Sequence, residues 1–386
     1  MASLACHRCD WTGPPAATQA CPRCGSTLAV AYEALRRDWS GTGVWRYRAW
    51  LPGTRALTLG EGGTPLLESH LGPAVRLKNE AANPTLSFKD RPVAVAAAMA
   101  LELGAAGLLC ASTGNTAVSV AAYGARAGLP VVCLVPHGTP AGKLRLVTGA
   151  GARLLAVAGT YSDAHALAAA LAGRTGWANL TTTYVNPYML EGDKTAGLEL
   201  YEQLGRAPDA VIVPVGAGPL LGGIAKAFDE LGGARPRLFA VQATGCAPIV
   251  RAFEENAPVR PWGTPATTAG GIADPLTGYA ADGDRTLAAV RATGGAAVAV
   301  EDAAIEGAAR ALARRDGLAV ELSAAAAAAG YLALRERGLL GPDEETVLLL
   351  TGHASKDPAA LGGDGETLAV VAPGAVEEAA RALAVD

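Results

Sequence analysis

Short runs of almost uniformly apolar residues alternate along most of this chain with longer, Ala-rich stretches of helical character. Leu108–Ala111 precedes a helical stretch near 117–127, 130–135 precedes 141–149, 153–157 precedes 162–171, and 210–215 precedes 220–231. Residues 238–242 and Thr346–Leu350 read as further buried strands. A strand that is apolar at every position, and not only at alternate ones, is covered on both faces. Alternating such strands with helices gives a parallel α/β sheet. Sites in open parallel sheets lie beyond the carboxyl ends of the strands, in the loops that lead into helices. Four loops come into view on that rule: 83–92, 112–116, 216–223 and 351–357.

Size and composition narrow the possibilities. The 386 residues are enough for two or three structural units and a cleft between them. With 50% apolar and 18% charged residues the chain is not disordered. Gly (48) and Pro (24) are abundant without reaching a low-complexity level. A net charge of −4 leaves no basic footprint for nucleic acid. No apolar run is long enough to span a membrane, and the N-terminus lacks the basic-then-apolar pattern of a secretory signal. The expected partner is therefore a small molecule, not nucleic acid or a membrane.

Of seven cysteines, four fall in the first 24 residues as Cys6-x2-Cys9 and Cys21-x2-Cys24. Each short loop turns two thiolates to one point, and two loops complete a tetrahedral sulfur shell suited to structural Zn²⁺. Gly13, Pro14, Pro15, Pro22 and Gly25 add turn chemistry. Residues 1–30 thus read as a zinc-ribbon-like segment, with redox disulfides or a ribbon that has lost its metal as alternatives. Cys110, Cys133 and Cys246 are scattered through apolar segments. An odd count with no disulfide framework suits a reducing cytoplasm. Residues 31–55, rich in Trp and Arg, read as a linker packed on the main body.

The four loops carry chemistry of distinct kinds. Gly216-Ala217-Gly218-Pro219-Leu220 follows a strand and opens a helix, so its backbone N–H groups form an anion site; a tight turn that needs glycine is the plainer reading. It is not a phosphate loop of the Walker type, since no Lys-Ser/Thr follows. Ser112-Thr113-Gly114-Asn115-Thr116 also opens a helix, and its donors either cap that helix or hold a substrate carboxylate. Lys89 stands in a turn between Pro84 and Pro92. A phosphate cradle, a carboxylate loop and a lysine are together the parts that hold pyridoxal phosphate as a Schiff base.

Five segments in this order resemble threonine synthase, of the tryptophan-synthase-β-like, fold type II pyridoxal phosphate enzymes. They are Glu61-Gly-Gly-Thr-Pro-Leu66, Asn83-Pro-Thr-Leu-Ser-Phe-Lys-Asp-Arg91, Ala111-Ser-Thr-Gly-Asn-Thr116, Asn186-Pro-Tyr-Met-Leu-Glu-Gly-Asp-Lys-Thr195 and Leu350-Thr-Gly-His-Ala-Ser-Lys-Asp-Pro358. The resemblance runs from about residue 56 to 360, and some threonine synthases also begin with a cysteine ribbon. It implies two doubly wound parallel-sheet domains with the cofactor in their cleft: a large one of 31–95 with 190–386, and a small α/β one of 96–189. It implies that Lys89 holds the cofactor and then shuttles protons, while Phe88 seats the ring. Asn115 would bond the ring's 3′-oxygen, and Ser112, Thr113, Gly114 and Thr116 would join it around the substrate carboxylate. Gly216, Ala217, Gly218, Pro219 and Leu220 would hold the 5′-phosphate, and Thr351 would face the ring nitrogen. A hydroxyl there suits elimination and replacement better than transamination. Relatives are often dimers, so a homodimer is the assembly state the resemblance suggests.

Departures from the family pattern bear on the substrate. Leu86 stands where a Gly is usual, Pro92 replaces a Gly after Arg91, Pro219 lacks an N–H, and the usual Glu-Pro-x-Ser reads Glu321-Leu-Ser-Ala. Threonine synthases commonly bind the substrate phosphate through Asn, Ser and Arg of Asn-Ser-x-Asn-Pro-x-Arg. Counting back from Asn186 gives Thr183, Tyr184 and Met189 instead. Losing that Arg removes a charge-assisted contact worth on the order of 1.5–3 kcal/mol. Lys143, Arg145, Arg153 and Lys194 are the candidate replacements. The expected activity is conversion of O-phosphohomoserine and water to threonine and phosphate, or a relative with a changed substrate. The alternatives are β-replacement on O-phosphoserine as in cysteate synthase, or a threonine/serine dehydratase-type ammonia-lyase. A non-catalytic relative is disfavoured by the intact Lys89.

Overall fold

A computed structural model describes residues 2–18, 20–139 and 141–356, with no side chains described for 141–143; Lys143 and the end of the fifth family-like segment therefore lie outside the described residues. Three short strands come first: β1 (Ala2–Cys6), β2 (Thr12–Gly13) and β3 (Leu28–Tyr32). They pair antiparallel around β1 and bury Leu4, Leu28 and Val30. The Trp-rich segment that follows has no long periodicity, and it forms short 3-10 turns over Val44–Trp50, kinked at Tyr47. Trp39 meets Tyr47 and Trp50 edge-on at 5.2 and 5.9 Å, and Trp39 also meets Tyr201 edge-on at 6.4 Å, which fastens this segment to the main body as its composition suggested.

Next come β4 (Leu66–Ser69), β5 (Gly72–Asn79) and helix α1 (Asp90–Glu102). A parallel unit follows: β6 (Leu108–Ala111), α2 (Asn115–Ala127), β7 (Val131–Pro136), α3 (Ala141–Gly149), β8 (Arg153–Val157), α4 (Tyr161–Thr175) and β9 (Ala178–Asn179). Its sheet has the order β8-β7-β6-β9. After α5 (Pro187–Leu204) come β10 (Ala210–Pro214), α6 (Pro219–Leu231), β11 (Arg237–Ala243), α7 (Pro248–Glu254), α8 (Ala280–Ala292), β12 (Ala297–Val300), α9 (Asp302–Ala311), α10 (Leu322–Glu336) and β13 (Thr346–Leu350). The second sheet runs β12-β11-β10-β13-β5-β4, parallel except for β4 at its edge. Residues 66–79 and 210–350 thus share one sheet, and residues 108–179 build the other.

Small residues let α1, α5 and α6 approach closely. At Gly192 a methyl group would come within 2.2 Å of the Arg91 carbonyl, and at Gly197 within 3.2 Å of the Ile224 backbone. The Ala run of α1 is buried throughout, so the helix that begins at the lysine loop is locked into the core. Pro92 interrupts nothing, because in the first turn its missing N–H has no intrahelical partner to lose.

Candidate active site

The lysine loop is tied into the end of β13 by backbone pairing. Phe88 N–H donates to the Thr351 carbonyl at 3.0 Å, and His353 N–H donates to the Leu86 carbonyl at 3.0 Å. Glu321, just before α10, donates its N–H to the Gly352 carbonyl at 3.0 Å. Three chain segments therefore meet where Lys89, Thr351 and Glu321 emerge. Leu86 holds φ 64°, the left-handed conformation that a glycine takes without cost. One residue beyond Lys89, Asp90 accepts from Thr85 N–H, Thr85 Oγ1 and Ser119 Oγ, all at 2.6 Å. The fully buried Arg91 then bonds Glu80 at 2.7 Å and Glu199 at 2.9 Å. Lys78 completes this buried network through its own ion pair with Glu199 at 2.5 Å. Paired charges of this kind stabilise little in total, but removing one partner leaves the others uncompensated, which fixes the loop geometry.

A cavity of about 650 Å³ opens beyond the carboxyl ends of both sheets. The parallel unit contributes Ser112–Thr116, Arg145, Leu146 and Tyr161 to its walls; the larger sheet contributes Phe88, Lys89, the 216–220 turn, 268–274, Glu321–Ser323 and Thr351. The Lys89 ammonium lies 4.1 Å from the centroid of the Phe88 ring. Burial lowers the Lys89 amine to about 8, against the opposing charges of Asp193, Glu321 and Asp274. An amine lowered this far is partly unprotonated near physiological pH, and that form is a nucleophile and a base. Asn115 donates its amide to both Glu321 carboxylate oxygens at 2.9 and 3.0 Å and accepts from Lys356 Nζ at 2.7 Å. A methyl group at Gly352 would come within 2.6 Å of the Glu321 carboxylate, so the absence of a side chain there leaves room for that carboxylate.

The 216–220 turn has the form of an anion cradle. Gly218 holds φ 92°, and Pro219 is the first residue of α6, so the helix N-terminus faces the cavity. Beneath the turn, Thr286 Oγ1 donates to the Ala217 carbonyl at 2.6 Å, and Tyr184 Oη lies 3.2 Å from the Gly218 carbonyl and 3.0 Å from Thr286 Oγ1.

The structure therefore gathers Phe88, Lys89, Ser112, Thr113, Gly114, Asn115, Thr116, Gly216, Ala217, Gly218, Pro219, Leu220 and Thr351 around one cavity. Three expected substrate contacts lie elsewhere. Thr183, Tyr184 and Met189 are buried and do not line the cavity. Tyr184 supports the phosphate-type turn from below, while Met189, on α5, packs into the apolar core beside α1 and the N-terminal strands. The neighbour of Thr183 takes the wall position: Thr182 Oγ1 sits 2.5 Å from Thr116 Oγ1. Of the candidate replacement cations, Arg145 reaches the cavity. Arg153 sits exposed on β8, and Lys194 is buried against Glu191 at 2.5 Å and Glu230 at 2.8 Å. Sequence reasoning missed Asp274 and Tyr161. Asp274 accepts from Tyr279 Oη at 2.7 Å and from Leu276 N–H at 3.0 Å; burial raises its carboxyl above the usual range. No motif marks either residue: Tyr161 opens α4 shortly after β8, and Asp274 lies in the long connection between α7 and α8.

The donor set fits pyridoxal phosphate: a near-neutral lysine amine, N–H groups at a helix N-terminus, and an amide and a hydroxyl around a cavity of suitable size. At the other end of the chain, Cys6 and Cys24 Sγ atoms are 3.5 Å apart, those of Cys9 and Cys21 are 3.7 Å apart, and all four lie within 4.8 Å of one another. These separations match a tetrahedral sulfur shell.

Comparison with known proteins agrees with the site. The family model for pyridoxal-phosphate dependent enzymes matches residues 57–352. The threonine synthase of Methanosarcina acetivorans is 38% identical over 360 residues, covering 88% of each chain. That of Methanocaldococcus jannaschii is 39% identical, covering 87% of this chain and 88% of its own. Among solved structures, the T.th. threonine deaminase superposes with a TM-score of 0.64 at 30% identity, covering 75% of this chain and 92% of its own. The processed threonine deaminase isoform 2 of Solanum lycopersicum gives 0.65 at 25% identity, covering 78% and 88%. The chain belongs to the pyridoxal-phosphate dependent enzymes of fold type II and, among them, to the threonine synthase family. Its chemistry is elimination and replacement on an activated amino acid, that of a lyase or synthase, and its cofactor is pyridoxal phosphate.

Proposed function

We propose that the protein converts O-phosphohomoserine and water to threonine and phosphate, with Arg145 supplying the substrate-phosphate contact that position 189 does not. The supporting observation is charge: Arg145 on α3 lines the cavity that Lys89 also lines, with Lys356 as a second cation on the wall. An anionic side chain there meets a guanidinium capable of two parallel hydrogen bonds.

Bound pyridoxal phosphate supplies an electron sink that acidifies the Cα–H of the amino acid. Lys89 Nζ holds the cofactor, takes the Cα proton of the substrate and returns it at another carbon. Phe88 seats the ring beside it. Asn115, whose amide bonds Glu321 here, would hold the ring oxygen, and Thr351 would serve the ring nitrogen with a hydroxyl in place of a charged group. Ser112, Thr113, Gly114 and Thr116 hold the substrate carboxylate at the N-terminus of α2. The N–H groups of the 216–220 turn hold the cofactor phosphate, with Pro219 contributing shape only. Tyr184 supports this frame from beneath. We assign Cys6, Cys9, Cys21 and Cys24 to a structural zinc ion: Cys6 Sγ accepts from the Arg8 and Cys9 amides at 3.3 and 3.4 Å, contacts that favour a metal-bound thiolate. The sheet membership supports a division into 1–30, 31–95 with 190–386, and 96–189. The unlinked Cys110, Cys133 and Cys246 suit a reducing compartment such as the cytoplasm.

The test is phosphate release from O-phosphohomoserine and from O-phosphoserine with sulfite, on purified protein and on Arg145→Ala. The proposal expects threonine from phosphohomoserine in the parent protein. It expects KM at least tenfold higher in the variant, from the loss of a charge-assisted contact of about 1.5–3 kcal/mol. Turnover of phosphoserine alone would assign the cavity to β-replacement instead, and turnover of threonine or serine alone to an ammonia-lyase.

A further inference from the structure

Helix α5 reaches the cofactor region through a residue that the site described so far does not use. Asp193 is fully buried, and neither of its carboxylate oxygens has a hydrogen-bond partner among the described residues. Two glycines make room for it. Gly192, its neighbour on α5, lies against the backbone of Arg91 and Pro92, where a methyl group would come within 2.2 Å. Gly223, on α6, lies against Asp193 itself, where a methyl group would come within 2.7 Å of the Asp193 Cβ. Residue 193 thus sits in the seam between the start of α1, directly after Lys89, and the first turns of α6, which the phosphate-type turn opens.

An orphaned buried carboxylate is costly unless a cation answers it. Arg91 is nearby, but its guanidinium is already engaged by Glu80, Glu199, Thr64 and Thr195. Lys89 is the remaining cation that acts on Asp193. We propose that Asp193 is a positioning residue that sets the charge of Lys89 from outside the cavity, holding the balance between its ammonium and amine forms. This rests on the reading that Lys89 holds the cofactor.

Burial raises the Asp193 carboxyl to about 7, with Lys89 and Arg91 pulling it back and Glu80 adding to the rise. Lys89 faces Glu321 and Asp274 as well as Asp193, and Tyr184 feels the Asp193 charge from the far side. Near neutral pH the pair holds one proton between two sites: carboxylate with ammonium, or carboxylic acid with amine. Neither arrangement changes the net charge of the seam. Lys89 can therefore become neutral when it must attack or take a proton, without a charged group being created in the core.

The experiment is capture of added pyridoxal phosphate by cofactor-free protein across a pH series, followed by the absorbance of the bound cofactor. Asp193→Asn and Asp193→Ala each remove the negative charge that favours the ammonium. The amine is then free at lower pH, and the capture midpoint falls by about one pH unit. Asp193→Glu restores it toward the parent value. Circular dichroism checks that the variants are folded, and Ala serves if the Asn amide is not tolerated. A midpoint unchanged in a folded neutral variant contradicts the role of Asp193 while leaving the cofactor reading intact. No capture by the parent protein at any pH contradicts the cofactor reading, and the inference with it.

Discussion

Two residues show how far single positions can be read from sequence. Leu86, where the family usually has glycine, keeps the glycine's conformation at φ 64°, and its 36% exposed side chain adds little packing in return. A non-glycine residue there stores roughly 1–2 kcal/mol, and a β-branched one stores more. Leu86→Ile is therefore expected to lower the melting temperature, and Leu86→Gly to leave it equal or higher. Thermal denaturation of the two variants side by side checks this, and equal melting temperatures would remove strain from the description of the lysine loop. Met189 carries the opposite lesson. The register of its segment was legible from the Asn-Pro and Glu-Gly-x-Lys-Thr landmarks. Which way residue 189 points from α5 was not, since that depends on α1 and the N-terminal strands packed against it. The departures at 183, 184 and 189 therefore do not change the wall of the cavity, which Thr182 and Arg145 line instead.

At the scale of elements, what could be read followed burial. The central parallel strands announce themselves because they are covered on two faces and apolar at nearly every position; β6 and β13 fall at the expected residues, as does β8 at the edge of its sheet despite its exposed positions. Strand β5 escaped notice because Arg76 and Lys78 interrupt its apolar run. Lys78 is nevertheless fully buried, since Glu199, on α5, answers it. A charge made tolerable by a partner 121 residues away leaves no local signal. The same holds for Asp193 and Asp274, whose chemistry depends on what folding brings near them. The loops after strands were legible because their residue types are unusual for loops. The Tyr184 and Thr286 supports beneath the 216–220 turn were not, because supporting residues look like any other core residue.

At the scale of the whole molecule, the N-terminal ribbon is fastened to the catalytic body and is not a free appendage. Tyr188 Oη donates to the Ala16 carbonyl and accepts from the Ala16 amide, both at 2.9 Å; Tyr32 Oη donates to Glu191 at 2.6 Å; and Lys226 Nζ donates to the Val30 carbonyl at 2.8 Å. If zinc holds the ribbon, losing it should loosen these contacts and lower stability, since metal-binding energy in so small a unit is folding energy. The expectation is one zinc ion per chain by elemental analysis, and a melting temperature lowered in Cys24→Ser. Metal-free protein with an unchanged melting temperature in that variant would make the cluster a set of plain thiols.

The proposed chemistry of the cavity between the two sheets turns on Lys89 as the residue that would hold pyridoxal phosphate. The measurement that tests this most directly is borohydride reduction of the cofactor-loaded protein, followed by digestion and mass spectrometry of its lysine peptides. The pyridoxyl mass is expected on Lys89 and to vanish in Lys89→Ala. The mass on Lys356 or Lys194, or full loading retained by Lys89→Ala, would contradict that role.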